Sequence, residues 1–329
     1  MQTVRLEKDF FRGAVSLERV KDGIKPWRIP YVQHALFPPN GLNGAAEVAA
    51  GVRLAFNSDT SAVHVRIEPS SHDLQFDCVL SGDEIHASVT VPAGSEQAVF
   101  EDLPPGGKDI EIYLSQCQPV VIRDLLIEQG AFISQQSRLK PRWVTYGSSI
   151  TQCSGADSPA QTWPAIAGRK LGWELTCLGY NGNCHMEPMV ARMIRDLDAD
   201  VISLCLGINV MGRFSLSIRT FRAAVIGMVS IIREKHPSIP IAVMSPIYSP
   251  DRETTDNAAG MNLIKMREEI FEAVAALTSC GDSNLHYLNG LDVFGEAHVN
   301  YLPDRLHPNA EGYRIMADHM IERLGKLPL

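Results

Sequence analysis

The sequence predicts a chain in two parts: an antiparallel β-sandwich or jelly roll over residues 1–138, then an α/β domain with a doubly wound parallel sheet over residues 139–329. Three observations predict it. Between about residues 52 and 127 apolar residues recur with period two. After the polar stretch "ISQQSRLKP" (133–141), short apolar runs alternate with helical patterns. The loops that follow those later runs carry glycine, serine and asparagine.

In the first part, "VRLAF" (52–56) is followed by the turn-like "NSDTS" and then "AVHVRI" (62–67). In "LQFDCVL" (74–80), Leu74, Phe76, Cys78 and Leu80 point to one face, and Gln75, Asp77 and Val79 to the other. In "KDIEIYL" (108–114), Ile110, Ile112 and Leu114 share a face. Successive side chains of a strand leave it on opposite sides, so this alternation suits strands with one buried face. Clusters such as "LPPGG" (103–107) separate the runs, as in a sandwich or jelly roll. Phe56, Phe76 and Tyr113 fall on the alternating core faces, which leaves no visible platform for stacking a sugar.

The second part reads as strands "RWVTYG" (142–147), "ELTCLG" (174–179), "VISLCLG" (201–207), "IAVMS" (241–245) and "LHYL" (285–288). Helical patterns occupy about 160–171, 187–197, 216–235, 257–277 and 309–324. Continuous apolar strands covered by helices imply a parallel sheet buried on both faces.

Charge and composition narrow the functional classes. The 329 residues are 45% hydrophobic and 21% charged, enough for a sizeable core. A net charge of −8 argues against broad binding to nucleic acid or an anionic membrane. It leaves an anionic substrate open, because a site carries its own local field. The opening "MQTVRLEKDFFRG" has no apolar core of a secretory signal. The most apolar stretch, "AAVIGMVSII" (223–232), is too short to span a bilayer and reads as a buried helix. There are seven cysteines, with no CxxC spacing and no paired Cys/His pattern; Cys177 and Cys205 lie in strands, where a thiol packs as a small hydrophobe. The expectation is a reduced, cytoplasmic protein with no cofactor and no structural metal.

Ligands of open α/β sheets sit beyond the carboxyl ends of the strands. The loops there read "GSSIT", "GYNGNCH" and "GINVMG", and "LPDRLHPN" precedes the last helix. Taken alone, "GSSIT" is a helix-capping turn, an anion-binding helix start or the seat of a nucleophile. The phosphate-loop pattern GxxxxGK[ST] is absent. A nucleophile needs a base. Of ten histidines, His34, His64, His72 and His86 lie in the β part, His236 precedes Pro237, and His319 lies within the last helix. His307 differs: Asp304 stands three residues before it, so one turn can present both side chains to one cleft, the carboxylate accepting the Nδ1 proton. An N-terminal cap would account for Asp304 or Asn309 but not for the set. Asn209 in "GINV" is either a turn residue or a carboxamide with a polar task, since burying one without partners is costly. The glycines of "GYNGN" mark a tight loop or leave a backbone N–H open to a ligand. His185, Arg213, Tyr248, Cys153 and Cys184 fall near these loops without an assigned role. The segment 246–260, long for its position, forms a wall or lid of a pocket or an ordinary surface loop.

In this order the four pieces, spread over about residues 142–324, resemble the SGNH (GDSL-type) hydrolase superfamily. The resemblance implies a flavodoxin-like parallel sheet and a serine esterase acting on a carboxylic ester, with a small acyl group on a sugar or other polyol as the substrate, or an acyltransferase using the same machinery. A non-catalytic carbohydrate-binding protein is a third reading. By position, Ser149 matches the nucleophile, His307 its base, and Asp304 the group that orients the base. The Ser149 and Gly182 backbone N–H groups and the Asn209 side chain match the oxyanion hole. Ser148 replaces the signature's aspartate, and Val210 replaces the aspartate that often follows the asparagine, which marks a divergent member. The β part is similar to the extra N-terminal domain of a subset of that superfamily.

Overall fold

The computed structural model describes residues 1–38, 41–81, 84–136 and 140–328, so the expected boundary between 138 and 139 lies outside the described residues. The strands before it are Gln2–Val4 (β1), Phe11–Arg12 (β2), Ser16–Val20 (β3), Gly23–Trp27 (β4), Arg53–Ser58 (β5), Val63–Ile67 (β6), Leu74–Leu80 (β7), Glu84–Val91 (β8), Gln97–Phe100 (β9), Lys108–Tyr113 (β10), Ile122–Ile127 (β11) and Ile133–Gln135 (β12). They form two six-stranded antiparallel sheets. One runs β3-β4-β11-β6-β9 with β1 also on β11; the other runs β12-β5-β10-β7-β8 with β2 also on β5. Leu54, Phe56, Val65, Phe76, Ile110 and Ile112 are buried between them. Strands β1 to β4 precede the region where period two is legible. They are short, carry Arg, Glu, Lys and Pro, and in β3 and β4 pair mainly with each other at a sheet edge, where polar side chains and Pro26 are tolerated.

The α/β part contains β13 (Arg142–Gly147), β14 (Glu174–Gly179), β15 (Val201–Cys205), β16 (Ile241–Met244) and β17 (Leu285–Leu288). All pairs are parallel, in the order β14-β13-β15-β16-β17. This is the doubly wound flavodoxin-like order. The helices are α1 (Leu42–Glu47) in the sandwich part, then α2 (Ser149–Gln152), α3 (Trp163–Leu171), α4 (Pro188–Asp196), α5 (Ile208–Arg213), α6 (Ile218–Arg233), α7 (Leu263–Ser279), α8 (Gly290–Val293) and α9 (Ala310–Leu324). Side chains fix several starts: Thr162 accepts from Ala165 N–H, and Asn309 from Gly312 N–H. Helix α7 starts at Leu263 rather than near 257 because Asn262 caps it, accepting from Lys265 N–H at 2.9 Å. No helix among the described residues is long and apolar enough to cross a membrane.

The two parts share buried surface. Trp27, Ile29, Phe37, Leu42 and Ala46 belong to the sandwich segment, yet they pack with Tyr146, Tyr180 and Val190 in the α/β core. Tyr113 also faces this junction, with Val79 and Trp143, rather than the sandwich core expected for it. The second face of β7 is equally dry: the Asp77 carboxylate accepts from Ala160 N–H at 2.7 Å and from the Ser88 hydroxyl at 2.5 Å. Arg53 of β5 donates to Glu111 at 3.0 Å, to Glu174 at 2.6 Å and to the Leu175 carbonyl at 3.2 Å.

Arg53 has a side chain only 3% exposed, so truncating it strands two carboxylates in a dry junction. Arg53→Ala is expected to cost about 3–5 kcal/mol, measured as a lowered thermal or urea midpoint. A change below about 1 kcal/mol would assign the junction's strength to its apolar contacts instead.

Candidate active site

Ser149 is the first residue of α2, which begins directly after β13. Ser148 in extended conformation caps this helix, its hydroxyl accepting from Ile150 N–H at 3.2 Å. Cys153 ends the helix in the left-handed region, at φ 61°. Behind it, Trp163 Nε1 donates to the Ile150 carbonyl at 2.9 Å and pins the short helix to α3. The close seat depends on Gly179 at the end of β14: a Cβ there would overlap the backbone of Thr151 and Gln152. The Ser149 N–H, at the head of the helix, has no intrahelical acceptor.

The loop before α9 brings His307 to this serine. Ser149 Oγ and His307 Nε2 lie 2.8 Å apart, and His307 Nδ1 lies 2.6 Å from Asp304 Oδ2. A carboxylate only accepts, so Nδ1 carries the proton and Nε2 presents its lone pair to the serine hydroxyl. The other Asp304 oxygen accepts the backbone N–H of His307 at 2.7 Å and of Leu306 at 3.0 Å. Burial alone would raise the Asp304 pKa. The His307 ring, those two backbone donors and the histidine charge outweigh it and hold the carboxyl at about 2. Ser149 is buried, whereas the His307 and Asp304 side chains are 37% and 54% exposed, so the pair forms the open rim of the cleft.

Gly182 lies in the loop after β14, and Asn209 lies in the first turn of α5, after β15. Gly182 has φ 70°, a conformation glycine adopts without strain. Its carbonyl accepts from His185 Nε2 at 3.1 Å, which leaves His185 Nδ1 to accept from the Ser215 hydroxyl at 2.7 Å. Asn209 Oδ1 accepts the Cys184 N–H at 2.9 Å. That bond fixes the amide orientation and leaves Nδ2 as the group on offer. The structure thus joins Ser149, His307 and Asp304 directly, and ties Asn209 to the Gly182 loop through Cys184.

The remaining candidates sort by contact. Burial pushes the Cys153 and Cys184 thiols well above their ordinary range, so neither is a ready nucleophile. Tyr248 donates to Glu296 at 3.3 Å, and Arg213 lies beside Gly182. The 246–260 segment stands against the His307 turn: the Ser249 hydroxyl donates to the Arg305 carbonyl at 2.8 Å, and Arg305 pairs with Asp251 at 2.6 Å. A largely apolar cavity of about 20 Å³, room for about one water-sized group, lies between Ile150, Ile208, Met244, Ile247 and Leu306. The sequence reading missed Gln152, whose Oε1 accepts from Asn181 N–H at 3.1 Å, and Arg28, which reaches the same amide oxygen at 3.4 Å. A signal was present in "PWRIP", a charge inside an apolar run.

With this geometry in hand, similarity to known proteins is specific. A family model described as the GDSL-like lipase/acylhydrolase family matches residues 140–324, and a second, the SsfX3 N-terminal domain, matches residues 10–107. No curated protein gives a significant match. Among solved structures, the salicylyl-acyltransferase SsfX3 from a tetracycline biosynthetic pathway is 32% identical, with a TM-score of 0.90 over 97% of this chain and 95% of that one. A GDSL-like lipase from Bacteroides ovatus ATCC 8483, its function putative in its own description, is 23% identical with a TM-score of 0.75, covering 96% and 95%. A family two carbohydrate esterase from Clostridium thermocellum, solved with cellohexaose, shares the fold at 15% identity and a TM-score of 0.67, covering 91% and 96%. The match over more than half of the chain, with the full-length likeness at 32% identity, places this enzyme in the GDSL-like lipase/acylhydrolase family.

Proposed function

We propose that this acyl hydrolase is a serine esterase that cleaves a carboxylic ester through an acyl-Ser149 intermediate, with Asp304 and His307 completing the triad. The observation that carries the reading is the continuous chain Ser149 Oγ–His307 Nε2 and His307 Nδ1–Asp304 Oδ2, at 2.8 and 2.6 Å. Serine at its normal pKa is a weak nucleophile, so a base must take its proton as it attacks. His307 takes that proton, Ser149 Oγ bonds to the ester carbonyl carbon, and the carbonyl electron pair moves onto oxygen. The Ser149 and Gly182 N–H groups and Asn209 Nδ2 receive this oxyanion. Each pre-organised donor of this kind is worth roughly 10²–10³-fold in rate. His307 then protonates the leaving alcohol, and the acyl-serine is hydrolysed by water that His307 deprotonates.

The proposed substrate carries a small acyl group on a sugar or other polyol. We also propose the division of the chain into a sandwich of residues 1–138 and a catalytic domain of residues 139–329. Seven free thiols, five of them buried as core side chains, support a reducing, cytoplasmic setting. The full-length likeness to an acyltransferase favours a second reading, in which an alcohol replaces water in the deacylation step.

Brief exposure to a fluorophosphonate should add one adduct to the intact wild-type mass, none to Ser149→Ala, and one formed far more slowly on His307→Ala. Labelling that persists in Ser149→Ala would sink the nucleophile assignment. On acetyl, butyryl and octanoyl esters of one phenol, kcat/KM should fall with chain length. Added glycerol or glucose should raise total turnover and give a new acyl ester only if transfer competes with hydrolysis.

Asp304 should remain ionised through the working pH range. Its folded pKa is depressed, so its contribution is complete above the ordinary carboxylate value and is lost as pH falls towards about 2. The acid limb of kcat/KM should therefore carry no second ionisation from Asp304 within the ordinary carboxylate range. Asp304→Asn should lower kcat by roughly 10⁴-fold, because an amide facing Nδ1 favours the wrong tautomer. A drop below about tenfold would remove Asp304 from the orienting role.

A further inference from the structure

We infer that Arg28, supplied by the sandwich part, is a positioning residue for the oxyanion-binding loop, holding residues 179–181 so that the Gly182 N–H faces the Ser149 side of the cleft. The inference rests on the roles proposed above for Ser149 and Gly182. Arg28 is fully buried. Among the described residues no carboxylate pairs with it; all its donors go to neutral oxygens. Nε donates to the Val48 carbonyl at 2.6 Å and Nη2 to the Ala45 carbonyl at 2.5 Å, both within its own part of the chain. Nη1 donates to the carbonyls of Cys177, at 3.3 Å, and Gly179, and Nη2 also reaches Gln152 Oε1 at 3.4 Å. Those three acceptors lie across the junction, on the last turn of α2 and the end of β14.

A buried cation with no counter-ion is costly unless every N–H finds an acceptor. Arg28 meets that condition only when the two parts are docked in this register. The consequence falls on a run of consecutive residues. Gly179 is held by its carbonyl on the guanidinium. Tyr180 is held by its hydroxyl, which donates to the Arg28 carbonyl at 2.5 Å, by its N–H on the Gly147 carbonyl at 2.8 Å, and by the guanidinium lying 5.1 Å from its ring centre. The Asn181 N–H goes to Gln152 Oε1, the same oxygen that Arg28 contacts. Gly182 comes next. A glycine at φ 70° sits in a permissive conformation, so its direction must be fixed by what precedes it. Arg53 offers an internal contrast: it crosses the same junction but grips Glu174 and Leu175, at the opposite end of β14.

The test compares Arg28→Ala, Arg28→Lys and Arg53→Ala at a temperature where each is folded by circular dichroism. Readouts are kcat and KM on an acetyl ester and inhibition by a trifluoromethyl ketone, whose serine adduct carries the oxyanion. Loosening one oxyanion donor should lower kcat by about 10–100-fold while KM stays within about threefold. Ketone affinity should fall with kcat, and Arg53→Ala should change kcat by less than about threefold. Arg28→Lys keeps the charge but cannot serve five acceptors. It should fold and show the same split at a smaller amplitude, so it decides the matter if Arg28→Ala does not fold. Wild-type kcat and ketone affinity in Arg28→Lys, or equal losses in the Arg28 and Arg53 variants, would reduce Arg28 to a docking contact. Turnover surviving in Ser149→Ala would instead overturn the underlying reading, whatever the Arg28 variants do.

Discussion

Ser149 and His307 are 158 residues apart in sequence and 2.8 Å apart in space. That single contact requires most of the α/β fold to be in place. A parallel sheet delivers its strand ends to one side, and β13, with β14 on one flank and β15 on the other, puts Ser149 between the Gly182 loop and the first turn of α5, which carries Asn209. The histidine arrives from the far end of the chain on the turn before α9. Helix α9 packs along α3, with Tyr313, Met316 and Met320 buried in the cluster that holds Trp143 and Trp163. Trp143 is a residue of β13 itself, and Trp163 Nε1 donates to the Ile150 carbonyl of α2. One apolar cluster therefore sets both partners of the contact, and the polar geometry above it inherits that rigidity.

Much of this was legible in the sequence because buried parallel strands leave a plain trace. The runs at 142–147, 174–179 and 285–288 coincide with β13, β14 and β17. The candidate site stood out for a related reason: polar residues directly after such runs have few uses. The helices 149–152 and 208–213 were not legible, because elements of four and six residues offer too little periodicity to read. Strands β1 to β4 were hidden because they are short and sparsely paired: β1, β2 and β3 each pair with one strand, and β4 meets β11 at a single residue pair. Nor did alternation in β7 reveal that Asp77 faces another layer of protein rather than water. Period two separates two faces; it does not say what covers the second.

The junction explains why the anchoring of the Gly182 loop escaped a reading confined to the second part. Arg28, Arg53 and Asp77 each cross from the sandwich to backbone groups or carboxylates of the α/β part. In a dry environment such groups must be fully satisfied or they destabilise what holds them. Most of their partners are backbone atoms of β14 and of the 3₁₀ turn at Pro159–Gln161, which no side-chain pattern announces. Local sequence supplies the Ser149, His307 and Asp304 side chains here, and distant sequence packs against the strand beside them.

Trp27, at the end of β4, and Ile29, Phe37, Leu42 and Ala46, which precede β5, are buried in the core of the α/β part. The consequence reaches into heredity. A recombination event between the two parts would pair a foreign plug with a socket shaped for another. The sandwich therefore cannot be inherited as a free cassette. It has to change in step with the residues around Tyr146 and Tyr180, and the likeness to a solved relative running through 97% of the chain accords with joint descent of the two parts.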